Sequence, residues 1–395
     1  MENIIQLAKD DDCTGCAACA DICPTGSIQL NTNNSLFQKP VINTNTCITC
    51  GKCMNVCPAL NQTTVQLQKQ LYYCTWSLDD NDRLTSTSGG VASAISKYAI
   101  EHGYVVYGVA FDDSWRLKTL PAIQKEELVK FKGSKYVQSD MVGVYQSILN
   151  NLKDGFPVLF IGTPCQIAGV LRSVPRRYHD KVLTCGIICH GVNSPVVWDD
   201  YRNYLERRYG AKLVNYNFRN KSRGWQKKNG TPNLRVSYRF ESDKEINEPA
   251  WSNQFHYWFG QHLMLRPSCL HCIYRKEERN SDITIGDFWG IHKLKSDVDT
   301  RFGVSVLISS TTKGENFIRE LKIYKEEFEP SKVIPLLKGY IGTISNNIVK
   351  ENIKRVREFE ALYLKQGFEK MKKKYPHPSI MQLILNSIKF RLGIK

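Results

Sequence analysis

From Leu71 onward, short apolar runs alternate with amphipathic stretches. Leu71–Trp76, Tyr104–Ala110, Val158–Gly162 and Val182–Ile188 are rich in Val, Ile, Leu and Tyr and end at polar or glycine positions, which predicts strands. Gly90–Glu101, Asp140–Leu152, Gln166–Val170 and Pro195–Arg208 place apolar residues at helical spacing and predict helices. Further strands are predicted at Leu213–Arg219, Leu234–Phe240, Ile283–Asp287 and Val304–Ser309. Alternation of this kind argues for an α/β core. Both ends of the chain depart from it. Near the start, Ser27–Asn31 and Leu36–Val41 flank Asn33-Asn34 and predict a hairpin. Asn61–Gln70 is polar and Gln-rich, a linker composition. From about Asn346 the chain is helical in pattern and basic.

Cysteine spacing changes the picture for the first sixty residues. Eight of the fourteen cysteines fall in two copies of one pattern, Cys13-x2-Cys16-x2-Cys19-x3-Cys23-Pro24 and Cys47-x2-Cys50-x2-Cys53-x3-Cys57-Pro58. This is the thiolate pattern of a bacterial-type ferredoxin with two 4Fe-4S clusters, in which each motif lends its fourth cysteine to the other cluster. The expected ligands are Cys13, Cys16, Cys19 and Cys57 for cluster one, and Cys47, Cys50, Cys53 and Cys23 for cluster two. Zinc does not call for four cysteines per repeat with a shared fourth ligand. A disulfide framework calls for a secretory signal, which Met1-Glu-Asn-Ile-Ile does not suggest. Eight iron-bound thiolates require a reducing interior, so the expected location is cytoplasmic.

The remaining 335 residues are enough to bury a sizeable core in further units. No run reaches about 18 uninterrupted apolar residues, so no transmembrane helix is expected. The net charge is +16, yet residues 1–60 carry three basic against five acidic side chains and residues 351–395 carry eleven against four. The Lys and Arg residues are scattered and accompany no nucleic-acid-binding module, so no nucleic-acid partner is expected. Ile380, Leu383, Ile384 and Ile388 fall at helical spacing with Lys389, Arg391 and Lys395 close behind. Such a helix either lies on an anionic membrane surface or packs on the domain with solvated lysines.

Several constellations in the larger part carry candidate chemistry. Thr85-Ser86-Thr87-Ser88-Gly89-Gly90 precedes a predicted helix, where hydroxyls and bare N–H groups suit a phosphate or simply cap the helix. After the strand Val158–Gly162, Thr163 suits an N-cap and Pro164 the first helical position, which puts Cys165 in the first turn. The helix dipole there is expected to favour its thiolate. Cys189-His190-Gly191 ends another strand, and Cys269-x2-Cys272 follows a Leu-Arg-Pro-Ser loop. Cys165, Cys189, Cys269 and Cys272 thus stand at element ends and suit a third 4Fe-4S cluster or a structural zinc. Cys74 and Cys185 lie inside apolar strands and read as core. His190 beside a redox centre is a candidate proton donor; His271 reads as bland. In Gly133–Ser139, Lys135 suits a phosphate or an anionic ring and Tyr136 suits stacking, with a solvated loop as the alternative. Arg219–Trp225 is basic and carries one tryptophan, and reads as an anion site or an exposed loop.

Ser86–Ser96, Gly133–Ser139, Gly162–Gly169, Cys189-His190-Gly191, Cys269-x2-Cys272 and Ser281–Gly290 occur in this order. Together they resemble the coenzyme F420 hydrogenase/dehydrogenase beta-subunit family, here fused to an N-terminal ferredoxin, over residues 1 to about 340. The resemblance implies an α+β two-cluster domain (1–60), a linker (61–70) and a larger α/β flavin-binding domain (71–345, with parts at about 71–155 and 156–345). A helical basic tail (346–395) lies outside it. It also implies FAD contacts from Ser86, Thr87, Ser88, Gly89, Gly90, Lys135 and Tyr136, and a third cluster on Cys165, Cys189, Cys269 and Cys272. The function it implies is an iron–sulfur flavoprotein oxidoreductase. Electrons would pass between clusters and FAD, with hydride exchange to coenzyme F420 or another organic molecule. Ferredoxin-fused relatives are also similar to proteins of surface-polysaccharide gene clusters. A redox partner protein or ferredoxin is implied as electron donor or acceptor. Lys135 and His190 are the only catalytic candidates. The alternative is a non-catalytic electron-transfer subunit docked on a larger complex.

Overall fold

The computed structural model describes residues 5–61, 69–227, 229–342, 344–379 and 381–382. Its strands are β1 (Ile28–Asn31), β2 (Lys39–Ile42), β3 (Leu71–Ser77), β4 (Val105–Phe111), β5 (Leu117–Ala122), β6 (Val158–Gly162), β7 (Val182–Ile187), β8 (Leu213–Asn217), β9 (Arg235–Phe240), β10 (Glu245–Pro249), β11 (Ile283–Asp287), β12 (Ser305–Ser309) and β13 (Ile323–Phe328).

Eight of them form one mixed sheet in the order β13-β3-β12-β11-β7-β6-β4-β5. The central four, β11, β7, β6 and β4, are parallel, and antiparallel pairs close both sides. The centre is apolar on both faces because helices cover it, so its strands read as near-continuous hydrophobic runs. The register sets Val158 against Val182 and Ile161 against Cys185. Both Cys74 and Cys185 are buried within the sheet, and burial pushes each thiol up to about 12.

The predicted strands and most predicted helices are present, with shifted ends. The helix expected from Asp140 begins at Val144. Asp140 instead bridges to Lys118, and Gly143 takes a left-handed φ of 82° that starts the helix. The helix expected over Gln166–Val170 runs from Pro164 to Ser173. Strands β5, β10 and β13 have no counterpart among the predicted ones. β5 and β13 are the two edges of this sheet and β10 is an edge of a smaller one, and their sequences mix charged residues and, in β5 and β10, Pro121 and Pro249 into the apolar pattern. Edge strands tolerate both.

A second, antiparallel sheet, β10-β9-β8, packs with the helix Pro195–Tyr209 and the helix Asn346–Lys374 around Trp198, Tyr201, Phe255 and Trp258. The expected basic tail is therefore helical from Asn346, but Phe359, Tyr363, Phe368 and Met371 bury its apolar face. The amphipathic stretch Ile380–Ile388 and its Lys389, Arg391 and Lys395 lie outside the described residues, apart from Met381 and Gln382. Most of the linker, 62–68, does too. No helix among the described residues is long and apolar enough to cross a membrane.

The hairpin of β1 and β2 links the two thiol motifs, and the C-terminal helix fastens it. Glu360 accepts hydrogen bonds from Ser35 Oγ (2.8 Å) and the Leu36 N–H (2.9 Å). Arg357 holds Glu360 (2.7 Å) and also pairs with Asp11. Burial works against the charged Glu360 carboxylate, but these donors outweigh it and hold its pKa below the ordinary 4.5. Glu360→Gln is expected to cost about 1–3 kcal/mol. The advantage of the carboxylate is present above the unfolded value and is lost as pH falls through the lower folded value. Thermal melts of both chains at descending pH check this: the gap between them closes in acid, and a constant gap contradicts the account.

Candidate redox site

The two cysteine motifs share one backbone device. Gly15 and Ala17 in the first, and Thr49 and Gly51 in the second, take left-handed φ of 66°, 66°, 52° and 72° at matching positions. Each loop thereby wraps its thiols around a hollow. Cys13, Cys16 and Cys19 line one together with Cys57 from the other motif. Cys47, Cys50 and Cys53 line the second together with Cys23. Among the described residues no group of three or more His, Cys, Asp or Glu is arranged to hold a single metal ion. The thiols ring open space instead, an arrangement that suits a cubane carrying iron at its corners.

The two hollows differ in setting. The second is outermost: Cys50 is exposed, and Ile48 beside it is 60% exposed. The first lies against the helices Val144–Lys153 and Pro164–Ser173, with Cys13 and Cys16 buried. Burial, with smaller contributions from Cys13 and Cys57, pushes the free Cys16 thiol up to about 11. Such thiols ionise only when a cation holds them.

The other four site cysteines gather at the C-terminal ends of the parallel strands, where ligands collect in open α/β sheets. Cys165 follows β6, Cys189 follows β7, and Cys269 and Cys272 come from the short helix Pro267–Leu270 and the turn after it. Each of Cys165, Cys189 and Cys269 is raised first by burial and then by its thiol neighbours in this set. For Cys269 those neighbours are Cys189 and Cys272, and for Cys165 they are Cys272, Cys269 and Cys16 of the inner hollow. This corrects the expectation that the helix dipole favours a Cys165 thiolate. The dipole is worth about 1 kcal/mol in the first turn, and the desolvation of a fully buried thiolate outweighs it. The same burial makes the set suited to a cationic centre. Arg279 is buried beside it, with its Nε unpartnered and its charge felt by Cys189 and Cys272.

His190 shares a 2.8 Å contact between its Nε2 and that of His262, and burial pushes its pKa down to about 4, so it is neutral at pH 7. His271 pairs with Asp12 at 3.0 Å.

The remaining candidate segments meet one another. Ser134 N–H donates to Thr87 Oγ1 (2.7 Å), which joins the Thr85–Gly90 loop to Gly133–Ser139. Ser88 Oγ donates to the Val304 carbonyl (2.9 Å), and Gly89 N–H donates to Ser305 Oγ (3.0 Å). These two positions are thus already engaged by the protein. A Cβ on Gly89 would come within 2.8 Å of the Thr75 carbonyl, so the glycine is required for that approach. Lys135 is buried enough that its pKa falls to about 7, and among the described residues its Nζ donates to the Lys132 (2.9 Å) and Gly133 (3.2 Å) carbonyls. Tyr136 OH accepts from Arg219 (3.1 Å), and the Tyr136 ring lies 4.9 Å from Phe259, which also meets His190 at 5.3 Å.

The exposed-loop expectation for Arg219–Trp225 holds at Ser222 and Arg223 and fails at the two ends. Trp225 is fully buried and stacks on Trp289 at 3.9 Å, while Arg219 pairs with Asp287 at 3.1 Å. The loop's apolar ring and its ion pair fasten it to the end of β11. Its Lys221 reaches the carbonyls of Arg83 (2.6 Å), Ser88 (2.7 Å) and Phe302 (2.7 Å), and burial lowers its pKa to about 7. Lys135 and Lys221 pair with no carboxylate among the described residues. Two partly buried lysines without a carboxylate partner fit an anionic ligand, whose charge would favour their protonated form.

Tyr145, Gln138 and Arg266 seat the inner thiol loop. Tyr145 OH donates to the Cys16 carbonyl (2.6 Å), and Gln138 Nε2 donates to the carbonyls of Thr14 (3.1 Å) and Gly15 (3.2 Å). Gln138 lies within the candidate segment Gly133–Ser139, Lys221 within Arg219–Trp225 and Arg266 three residues before Cys269, but local sequence gives none of them its role, and nothing local marks Tyr145.

Comparison with known proteins bears on this arrangement. Two family descriptions of the coenzyme F420 hydrogenase/dehydrogenase beta subunit match, the N-terminal one over residues 72–146 and the C-terminal one over residues 157–333, together more than half of the chain. Two 4Fe-4S dicluster domain descriptions match residues 12–61 and 39–95. A coenzyme F420-dependent sulfite reductase of Methanocaldococcus jannaschii is 26% identical over 183 residues, covering 45% of this chain and 27% of that protein. An uncharacterized protein of the same organism is 24% identical over 192 residues, covering 40% of this chain and 51% of its own length. The chain therefore spans about a quarter and about half of these relatives. A solved chain from the F420-reducing [NiFe] hydrogenase complex of Methanosarcina barkeri shares 18% identity at a TM-score of 0.45, covering 75% of this chain and 92% of that one. The chain belongs to the coenzyme F420 hydrogenase/dehydrogenase beta-subunit family and carries a 4Fe-4S dicluster domain ahead of the family's two matched regions.

Proposed function

We propose that this chain is an iron–sulfur flavoprotein oxidoreductase whose thiol sets form a relay from the surface to a flavin. The observation that carries the reading is their order in space. The set with exposed Cys50 is outermost, the set with buried Cys13 and Cys16 follows, and Cys165 of the third set feels the charge of Cys16. In this reading Cys23, Cys47, Cys50 and Cys53 hold the outer 4Fe-4S cluster and Cys13, Cys16, Cys19 and Cys57 the inner one. Cys165, Cys189, Cys269 and Cys272 hold a third. Bound clusters supply one-electron exchange and FAD supplies the step from single electrons to hydride.

The chain's own residues do the rest. The lysines Lys135 and Lys221, with the hydroxyls of Ser86 and Thr87, offer positive charge and hydrogen bonds to a pyrophosphate or a flavin ring. Tyr136 borders that place, and its ring reaches toward His190 through Phe259. His190 and His262 form a hydrogen-bonded pair able to relay a proton. The organic substrate is coenzyme F420, as the name of the sulfite reductase relative suggests, or another acceptor such as one used in surface-polysaccharide synthesis. A redox protein or ferredoxin supplies electrons at the outer set.

A second reading, an electron-transfer subunit without chemistry of its own, is favoured by Val41, Ile48 and Leu60. They are 47%, 60% and 46% exposed on the dicluster module. Turnover of a small molecule by the isolated chain excludes it.

Anaerobically reconstituted protein is expected to hold about twelve irons and about one FAD per chain. About eight irons with no flavin contradicts the relay. Cys165→Ala is expected to lose about four of those irons and keep the dicluster signals in electron paramagnetic resonance. Loss of signal from the outer set as well counts against separate sites. Lys135→Met is expected to weaken flavin retention by about tenfold or more, the loss of one charge-assisted contact, with iron unchanged. Flavin retained at the wild-type level places the cofactor elsewhere.

A further inference from the structure

The Arg266 side chain is 1% exposed and reaches out of the large domain into the inner thiol loop. Its Nε–H donates to the Cys13 carbonyl (2.6 Å). One terminal nitrogen donates to Gln138 Oε1 (2.9 Å), and the other to the Gln38 carbonyl (3.0 Å) and to Cys13 Sγ (3.4 Å). The guanidinium also lies over the Phe37 ring, 5.3 Å from its centre. It forms no ion pair with a carboxylate among the described residues. An arginine keeps its charge in a protein, and a buried charge without a counter-ion is costly. The nearest group able to balance it is the thiol set it touches. A 4Fe-4S cluster with four thiolates carries net negative charge, so the cation and the cluster answer each other's cost of burial.

Among the described residues no guanidinium is bonded to Cys23, Cys47, Cys50 or Cys53. Cys23 Sγ meets the neutral Thr25 Oγ1 at 3.6 Å, and Arg172 Nε donates to the Asn55 carbonyl of the second motif (2.8 Å) rather than to a sulfur. Hydrogen bonds to sulfur and local charge set the reduction potential of such clusters. Reduction adds one electron and breaks no bond, so a fixed buried cation stabilises the reduced state. We propose that Arg266 is a positioning residue that raises the potential of the inner cluster above that of the outer one, and so collects electrons next to Cys165. This rests on the cluster assignment proposed above. Arg266 is well placed for that role in a second way: its carbonyl accepts the Cys269 N–H (2.9 Å), so one turn of chain joins the inner loop to the third thiol set.

The test is a potentiometric titration of the whole reconstituted chain followed by electron paramagnetic resonance. The inner and outer signals are told apart by their loss in Cys16→Ala and Cys50→Ala. In Arg266→Gln the inner midpoint is expected to fall while the outer one stays. Arg266→Lys keeps the charge but loses the fork, and a smaller fall is expected; if the Gln variant does not assemble, this variant alone decides. Tyr145→Phe breaks a contact to the same loop without touching Arg266 or changing charge and is expected to leave both midpoints in place. An unmoved inner midpoint in the arginine variants overturns the inference while the cluster reading stands. Equal falls at both clusters, or a fall in Tyr145→Phe as large as that in Arg266→Gln, also overturn it. A wild-type chain without an inner-cluster signal overturns the reading and the inference together.

Discussion

The dicluster module is held to the large domain by hydrogen bonds made to the backbone of its inner thiol loop. Arg266, Gln138 and Tyr145 donate to the carbonyls of Cys13, Thr14, Gly15 and Cys16. The loop is thus gripped by its main chain, which leaves its sulfurs to line the hollow. Because the grip is on backbone and lies in a low-dielectric interface, each bond resists sliding of the module. The spatial order of the three thiol sets depends on it. Glu360 and Arg357 on the hairpin side, and Asp21 on Gly143 and Tyr145, add to the same hold.

The α/β topology supplies the other half of the arrangement. Four parallel strands end on one edge of the sheet, and the segments after β6 and β7 and the last residue of β11 bring Cys165, Cys189 and Asp287 there. Strand β12 runs the other way, so its first residue, Ser305, reaches the same edge and holds Gly89. Two remote parts of the sequence, near residues 85–90 and 303–305, are thereby joined where the buried lysines stand. Edge strands β5 and β13 complete the sheet and contribute none of these groups.

Much of this was legible in the sequence for definite physical reasons. The doubled cysteine spacing is a local constraint, and the loops that satisfy it repeat the same two left-handed positions, Gly15 and Ala17 and then Thr49 and Gly51. The central strands are buried on both faces, which leaves plain apolar runs. What was not legible is non-local. Nothing in Leu-Arg-Pro-Ser says that Arg266 crosses to Cys13, 253 positions away in sequence. Nothing around Lys221 says that it reaches Ser88, and Trp225 reads as exposed until Trp289 is placed against it. The Cys165 misjudgement has the same root. A helix dipole can be read from local sequence, whereas the burial that outweighs it comes from packing by distant segments.

The central claim is that three iron sites lie in sequence from the surface inward, with the middle one at the grip of Arg266. Anomalous diffraction at the iron edge from anaerobically grown crystals tests it most directly. The account predicts three peaks, at Cys23/Cys47/Cys50/Cys53, at Cys13/Cys16/Cys19/Cys57 and at Cys165/Cys189/Cys269/Cys272, with the second between the other two. Iron at the first two sets and none at the third, in crystals of fully reconstituted protein, would contradict it.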